Sequence, residues 1–383
     1  MALRIKEATG EMRLQAMNQG KSSWPIVFEK FQNPWECMNW NLESFQDIKT
    51  TVRVHKRKKD KEIDEEGKEK VDWETDATYI HTSLKEFGEW CEGKHNENTN
   101  EKEDQEGWNS SLSKFDRNEY WGYAAYKYFQ DLFGDKDEMK HSVHFDRDFK
   151  LSNNYENIGF WFGSKGSNTP CHYDTYGFNI VFQVKGKKKW ILFPPQDSKY
   201  LYPTRIPYEE SSVFSLVQVA NPDHEKYPEF SKAQKIEVIL KEGEALFVPR
   251  HWWHYVESLE TTVSINQWFE LEEDQKERLN EALVRFLIPL IKNFDGSKNH
   301  SSNWINPTEE KLNNQESLQL LYDSLVDLTE IDPSLNEDEF TTFLINSLLT
   351  TNLSAITTQL LDQWKKLEDL QSNQIKKRKT DYN

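Results

Sequence analysis

Short β-type apolar runs, punctuated by glycine and proline, dominate the middle of the chain, and helical spacing takes over after residue 270. Gly177-Phe-Asn-Ile-Val-Phe-Gln-Val184 leads into Lys185-Gly186-Lys187, and Trp190-Ile-Leu-Phe193 then stops at Pro194-Pro195. Two such runs across a short glycine-containing turn predict a hairpin. Ile236-Glu-Val-Ile-Leu240, a Lys241-Glu-Gly243 turn and Ala245-Leu-Phe-Val248 predict a second, stopped by Pro249. Thr261-Thr-Val-Ser-Ile-Asn-Gln-Trp268 predicts a further strand. Side chains two apart share a strand face, so Asn179, Val181 and Gln183 go together. In the next strand Lys188, Trp190 and Leu192 share one face, while Lys187, Lys189 and Ile191 share the other. Both faces carry apolar residues, so periodicity does not choose the inward one. Trp252 and Trp253 are expected to pack in the core.

Pro25-Ile-Val-Phe28 reads as an early strand and Trp40-Asn-Leu-Glu-Ser-Phe45 as a short helix. In Thr82-Ser-Leu-Lys-Glu-Phe-Gly-Glu-Trp90 a hydroxyl residue precedes an acidic one within the first turn. Leu84, Phe87 and Trp90 form its apolar stripe, predicting a capped helix. Residues 56–72 and 92–112 are charged and poor in apolar side chains, as expected of insertions. Beyond 270, Leu279, Leu283, Phe286 and Leu290 recur at helical spacing, with Pro289 expected to bend or end the helix. Asn306-Pro307 is a helix-start signal. Leu318, Leu321, Leu325 and Leu328 make one further stripe, and Leu353, Ile356, Leu360, Trp364 and Leu367 another. The expected organisation is a β domain over 1–270, with N-terminal elements at 20–155 and a barrel core at 156–270. A helical region (271–374) and a basic tail (375–383) come after it.

Composition narrows the function classes. The formal net charge of −17 argues against broad binding to nucleic-acid phosphates and is compatible with basic protein substrates. Three scattered cysteines, Cys37, Cys91 and Cys171, do not make a disulfide framework or a zinc module. Cys171 is expected to be a packed thiol. The start, Met1-Ala-Leu-Arg-Ile-Lys-Glu, lacks the apolar core of a signal peptide, and no apolar run reaches membrane-spanning length. A soluble, cytoplasmic protein without membrane partners is the expectation. Ile375-Lys-Lys-Arg-Lys379 reads as a solvated tail, with nuclear import the alternative.

Chemistry concentrates in His-x-acid pairs. Chance supplies such pairs in so acidic a chain, and three occur: His95-Asn-Glu97, His144-Phe-Asp146 and His172-Tyr-Asp174. The first lies in a polar run and the second in a charged connector. Only the third has predicted strands on both sides. His172 and Asp174 project to one side of an extended segment. Further along, Pro249-Arg-His251-Trp-Trp-His254 offers a third ligand, and His251 and His254 are equally suited by chemistry alone. Two histidines and one carboxylate occupy one face of an octahedral ferrous ion and leave three positions open.

Thr169-Pro-Cys-His172-Tyr-Asp174, Gln183-Val-Lys-Gly-Lys-Lys188, Ile191-Leu-Phe-Pro-Pro195 and Pro249-Arg-His-Trp-Trp-His254 resemble the core motifs of JmjC-domain 2-oxoglutarate oxygenases of the hydroxylase type. The resemblance covers roughly residues 20–270 and is most specific between 158 and 270. It implies a double-stranded β-helix, a cupin-like jelly roll with flanking helices, in a mainly β protein with some α. It further implies iron(II) held by His172, Asp174 and His254. Lys188 and Thr169 would bind the far carboxylate of 2-oxoglutarate, and Asn179 and Asn266 would line the same pocket. The segment between Asp174 and Gln183 is one residue longer than in the asparaginyl hydroxylase of this family. Aligning on the Gln-x-Lys-Gly turn therefore selects Lys188 over Lys187. The implied reaction consumes dioxygen and 2-oxoglutarate, releases succinate and carbon dioxide, and hydroxylates a protein side chain. Lysine demethylation and a non-catalytic binding module are the alternatives. Tyr202–Phe214 and Val248–Ser258 match a branch whose resemblance implies a small heat-shock protein partner and a stress-response role. The related hydroxylases imply a homodimer through the C-terminal helices.

Overall fold

In the computed structural model the described residues are 2–18, 22–57, 77–94, 112–134, 136–203, 212–283 and six positions between 319 and 327. Those through Asp274 make one compact unit, and residues 275–283 belong to a second. The strands of the first unit are β1 (Leu3–Ile5), β2 (Ile26–Phe28), β3 (Lys49–Lys56), β4 (Thr78–Ser83), β5 (Tyr120–Tyr128), β6 (Ile158–Gly163) and β7 (Asn168–Asp174). They continue as β8 (Phe178–Lys185), β9 (Lys188–Phe193), β10 (Ser212–Phe214), β11 (Ile236–Leu240), β12 (Ala245–Val248), β13 (Trp253–Ser258) and β14 (Thr262–Phe269). Five short helices interleave: α1 (Gly10–Ala16), α2 (Leu84–Glu92), α3 (Phe129–Phe133), α4 (Asp137–Lys140) and α5 (Phe145–Phe149).

Two sheets face each other as a jelly roll. The larger runs β1-β2-β12-β8-β14-β6-β5-β3-β4 and the smaller β10-β7-β13-β9-β11. The strands of both predicted hairpins are present, but within each the two strands do not pair with one another. Each turn crosses from one sheet to the other, so β8 pairs with β12 in the large sheet and β9 with β11 in the small one. Three apolar layers result. Trp190, Leu192, Val238 and Val256 of the small sheet meet Val27, Val181, Leu246 and Val248 of the large one inside the barrel. Outside the large sheet, Phe160, Phe162 and Phe182 pack under Trp35, Phe45, Phe87 and Phe145. Outside the small sheet, Cys171, Ile191, Phe193 and Trp253 form the third layer.

Local sequence explains the supporting elements. Ser83 caps α2, accepting from the Glu86 amide while Glu86 bonds back to the Ser83 amide, and Gly93 closes it in the left-handed region at φ 73°. The short helix expected at 40–45 is a 3-10 turn over Leu42–Phe45, capped by Asn41. Leu279 and Leu283 fall in a helix over 274–283. Phe286, Pro289, Leu290, the Asn306-Pro307 start, Leu318, Leu325, Leu328, the stripe from Leu353 to Leu367 and the tail 375–383 lie outside the described residues. So does most of both charged insertions, together with His95 and Glu97. Among the described residues no helix is long and apolar enough to cross a membrane.

Candidate metal and cosubstrate site

Strand pairing assembles the site at one end of the barrel. β13 lies between β7 and β9, with His254 opposite His172 on one side and Leu192 on the other. Two residues along β13, Val256 faces Thr169 and Trp190, and Ser258 faces Lys188. Residues paired across a sheet share a face, so His172, His254 and Lys188 all point into the barrel. Thr169 would point away if β7 were regular, since it stands three residues before His172. It does not, because a bulge between them sets three residues of β7 against two of β13. The extra residue restores Thr169 to the inner face.

His172, Asp174 and His254 each direct one ligand atom toward a common point, all within 4.8 Å of one another. The His172 Nε2 lies 3.6 Å from Asp174 Oδ1, and the His254 Nε2 lies 4.0 Å from Oδ2. The tautomers are fixed by the other ring nitrogens. The His172 Nδ1 is 2.8 Å from the Pro170 carbonyl and the His254 Nδ1 is 2.9 Å from the Trp252 carbonyl. A carbonyl only accepts, so each Nδ1 carries the proton and each Nε2 presents a lone pair. Burial, then the neighbouring His172, push the His254 imidazole down to about 4, so it stays neutral. Two imidazole lone pairs and a carboxylate converging at distances too long for hydrogen bonds repel one another unless a cation sits among them. The donor set fits a divalent metal with open positions.

His251 stands elsewhere. Its Nε2 lies 2.9 Å from the Thr175 carbonyl, in the turn before β13, with φ 61°. Of the two histidines that sequence chemistry leaves open, His254 is the one that stands with His172 and Asp174. His144 pairs with Glu36, and Asp146 accepts from Asn153 at 3.1 Å, so that pair converges on no common point.

Deeper in the barrel, Lys188 is 2 % exposed. Its Nζ donates to Ser264 Oγ at 2.8 Å and to the Tyr123 hydroxyl at 3.1 Å, and lies 5.2 Å from the Tyr123 ring centroid. Burial pushes its pKa down to about 7, and an anion beside it would favour the charged form again and form a buried ion pair with it. Lys187, on the other face, is half exposed and pairs with Glu260 at the surface. Asn266 and Asn179 are joined: the Trp161 indole donates to Asn266 Oδ1 at 2.6 Å, and Asn266 Nδ2 donates to Asn179 Oδ1 at 3.0 Å. That direction of donation leaves the Asn179 amide N–H groups at the end of the chain. Cys171 is buried against the third apolar layer, which pushes its thiol pKa up and leaves it unreactive.

Sequence reasoning missed Tyr123, Ser264, Trp161 and Trp268. A signal existed for two of them, since Ser264 and Trp268 stand two residues on either side of Asn266 and share its strand face. Tyr123 and Trp161 come from β5 and β6, whose place beside the site depends on pairing that local sequence does not reveal.

The model of a Cupin-like domain matches residues 13–275. HSPB1-associated protein 1 of Bos taurus is 42% identical over 287 residues, covering 74% of this chain and 56% of that protein. Its Danio rerio homolog is 39% identical over 303 residues, 78% of this chain and 63% of that one. Lysine-specific demethylase 8 of Danio rerio is 40% identical over 112 residues, 29% of this chain and 27% of that protein. The chain spans about half the length of the HSPB1-associated relatives it matches.

Proposed function

We propose that this chain, which belongs to the cupin-like JmjC family, is a working iron(II)- and 2-oxoglutarate-dependent dioxygenase that hydroxylates a protein side chain. One observation carries the reading: the converging lone pairs of His172, Asp174 and His254 share a barrel with a buried, hydrogen-bonded lysine. A site for a structural metal alone would have no use for Lys188, because a buried cation without an anionic partner destabilises the fold.

His172, Asp174 and His254 would hold the metal, whose chemistry is the activation of dioxygen. Lys188 supplies a charged donor, and Thr169, Tyr123 and Ser264 neutral ones, for a carboxylate buried at the inner end. Asn179 and Asn266 orient the rest of the cosubstrate through the N–H groups that Trp161 aligns. The apolar side chains Trp190, Leu192 and Val256 keep bulk water from the interior, so the polar contacts act at full strength. The name shared by the HSPB1-associated relatives supports a small heat-shock protein as partner or client. The match to a lysine-specific demethylase supports demethylation as the second reading.

Purified protein with iron(II) and 2-oxoglutarate should release succinate slowly without substrate, and His254→Ala should abolish that release. Cell extract should raise the rate and leave a hydroxylated protein, about 16 Da heavier by mass spectrometry. Formaldehyde from methylated lysine peptides would shift the reading to demethylase. Absence of turnover in air, with substrate in excess and iron(II) loaded beforehand under anaerobic conditions, would leave a binding module.

A further inference from the structure

Each histidine of the cluster is oriented by its own strand, through the carbonyl two residues earlier. Asp174 is anchored differently. It ends β7, and its side chain, at 20 % exposure, is the most open of the three. An aspartate there can turn about its terminal torsion and offer a metal either oxygen or both. Across the barrel, on β14 of the opposite sheet, the Trp268 indole Nε1 lies 3.0 Å from Asp174 Oδ2. An indole nitrogen only donates, so the direction of this bond is fixed. The Trp268 ring is itself braced edge-on against Trp161, with centroids 6.5 Å apart.

We propose that Trp268 is a positioning residue for the metal-binding carboxylate: its N–H engages Asp174 Oδ2 and holds Oδ1 toward His172, so that Asp174 serves as a one-oxygen ligand. The proposal rests on reading His172, Asp174 and His254 as the metal site. A carboxylate bound through both oxygens would take a position that cosubstrate or dioxygen needs, whereas one oxygen preserves three open positions. Outer partners of this kind tune metal sites by tenfold to a hundredfold in affinity. The bond also crosses between the two sheets, so an inter-sheet staple with no influence on the metal is the competing explanation.

Cobalt(II) titration of metal-free protein, monitored by its visible absorption bands, separates these. Trp268→Phe keeps an aromatic ring, smaller than the indole, and removes the N–H. It should weaken cobalt binding tenfold or more and change band position or intensity, while the metal-free variant melts within a few degrees of wild type. Unchanged affinity and bands, with or without a lowered melting temperature, overturn the proposal in favour of the staple. Should the variant fail to fold, the wild-type protein still decides. With ¹⁵N-labelled tryptophan, the Trp268 indole resonance should shift as zinc(II) is added, with the same midpoint as metal binding, and a stationary resonance overturns the proposal. If wild-type protein binds no cobalt, or His254→Ala binds it equally well, the metal-site reading itself has failed, which is a different outcome from a silent Trp268→Phe.

Discussion

At the scale of single residues, Lys188 is the most informative side chain. Its pKa lies near 7 because burial penalises the ammonium form. The charge that would grip a carboxylate is therefore full below about pH 7 and lost above it in the empty pocket. Binding of 2-oxoglutarate, measured by calorimetry on metal-loaded protein, should weaken as pH rises from 6.5 to 8.5. Lys188→Met should lose roughly a hundredfold or more in affinity, flatten that pH dependence and keep the metal. Lys187→Ala, on the solvent face, should change little. The same shift bears on folding. Between pH 7 and the ordinary 10.5 the unfolded chain holds this proton and the folded one does not, so raising pH through that window stabilises the empty protein through Lys188. Sequence alone brought Lys188 forward only through family resemblance. Its partners Tyr123 and Ser264 arrive from other strands, and no local pattern announces them.

At the scale of elements, strands β8 and β9 were legible, while their pairing and orientation were not. Ile191 and Trp190 are both buried because β9 has apolar layers on each side, the barrel interior against Trp190 and the outer layer against Ile191. Alternation identifies an inward face only when the other face meets water. A turn that crosses between sheets also carries the same glycine signal as one that closes a hairpin. Gly186 sits in that turn at φ 72°, and a Cβ there would collide with the Thr261 carbonyl oxygen. Gly186→Ala should thus cost about 1–3 kcal/mol, a loss visible as a lower melting temperature. The bulge in β7 was equally hidden, since the Thr-Pro-Cys-His run gives no sign that Thr169 and His172 face the same way. Thr169→Val should weaken 2-oxoglutarate binding several-fold while sparing metal affinity, because it deletes a hydroxyl from the inner face and keeps the shape. Equal loss of both ligands would place Thr169 in a structural role.

At the scale of the whole molecule, ligand binding and stability are linked. A metal that binds only the folded chain raises stability by about 2.7 kcal/mol at one hundred times its dissociation constant. Manganese(II) should raise the melting temperature, a chelator should reverse the rise, and His172→Ala should abolish it. His144→Ala should retain it in full, and an equal response from both variants would dismiss the site. The β-rich middle of the chain was legible from its runs and punctuation, and the His172–Asp174 pair from its strand context, whereas the jelly roll and the choice of His254 over His251 came only from family resemblance. The outer strands β3–β5 were not, because charged insertions interrupt the alternation around them. The apolar stripes after residue 270 predict that ending the chain near there changes its oligomeric state or solubility, which sedimentation and thermal melting would report.

The bonds from His172 and His254 to carbonyls two residues back also have a meaning in time. Both rings are already turned and correctly protonated before any metal arrives, and the lock belongs to each strand's own backbone. Capture of a divalent ion would therefore require no rotation of either ring and no release of a proton from either imidazole, so a metal-free chain already presents both nitrogen ligands in their binding form.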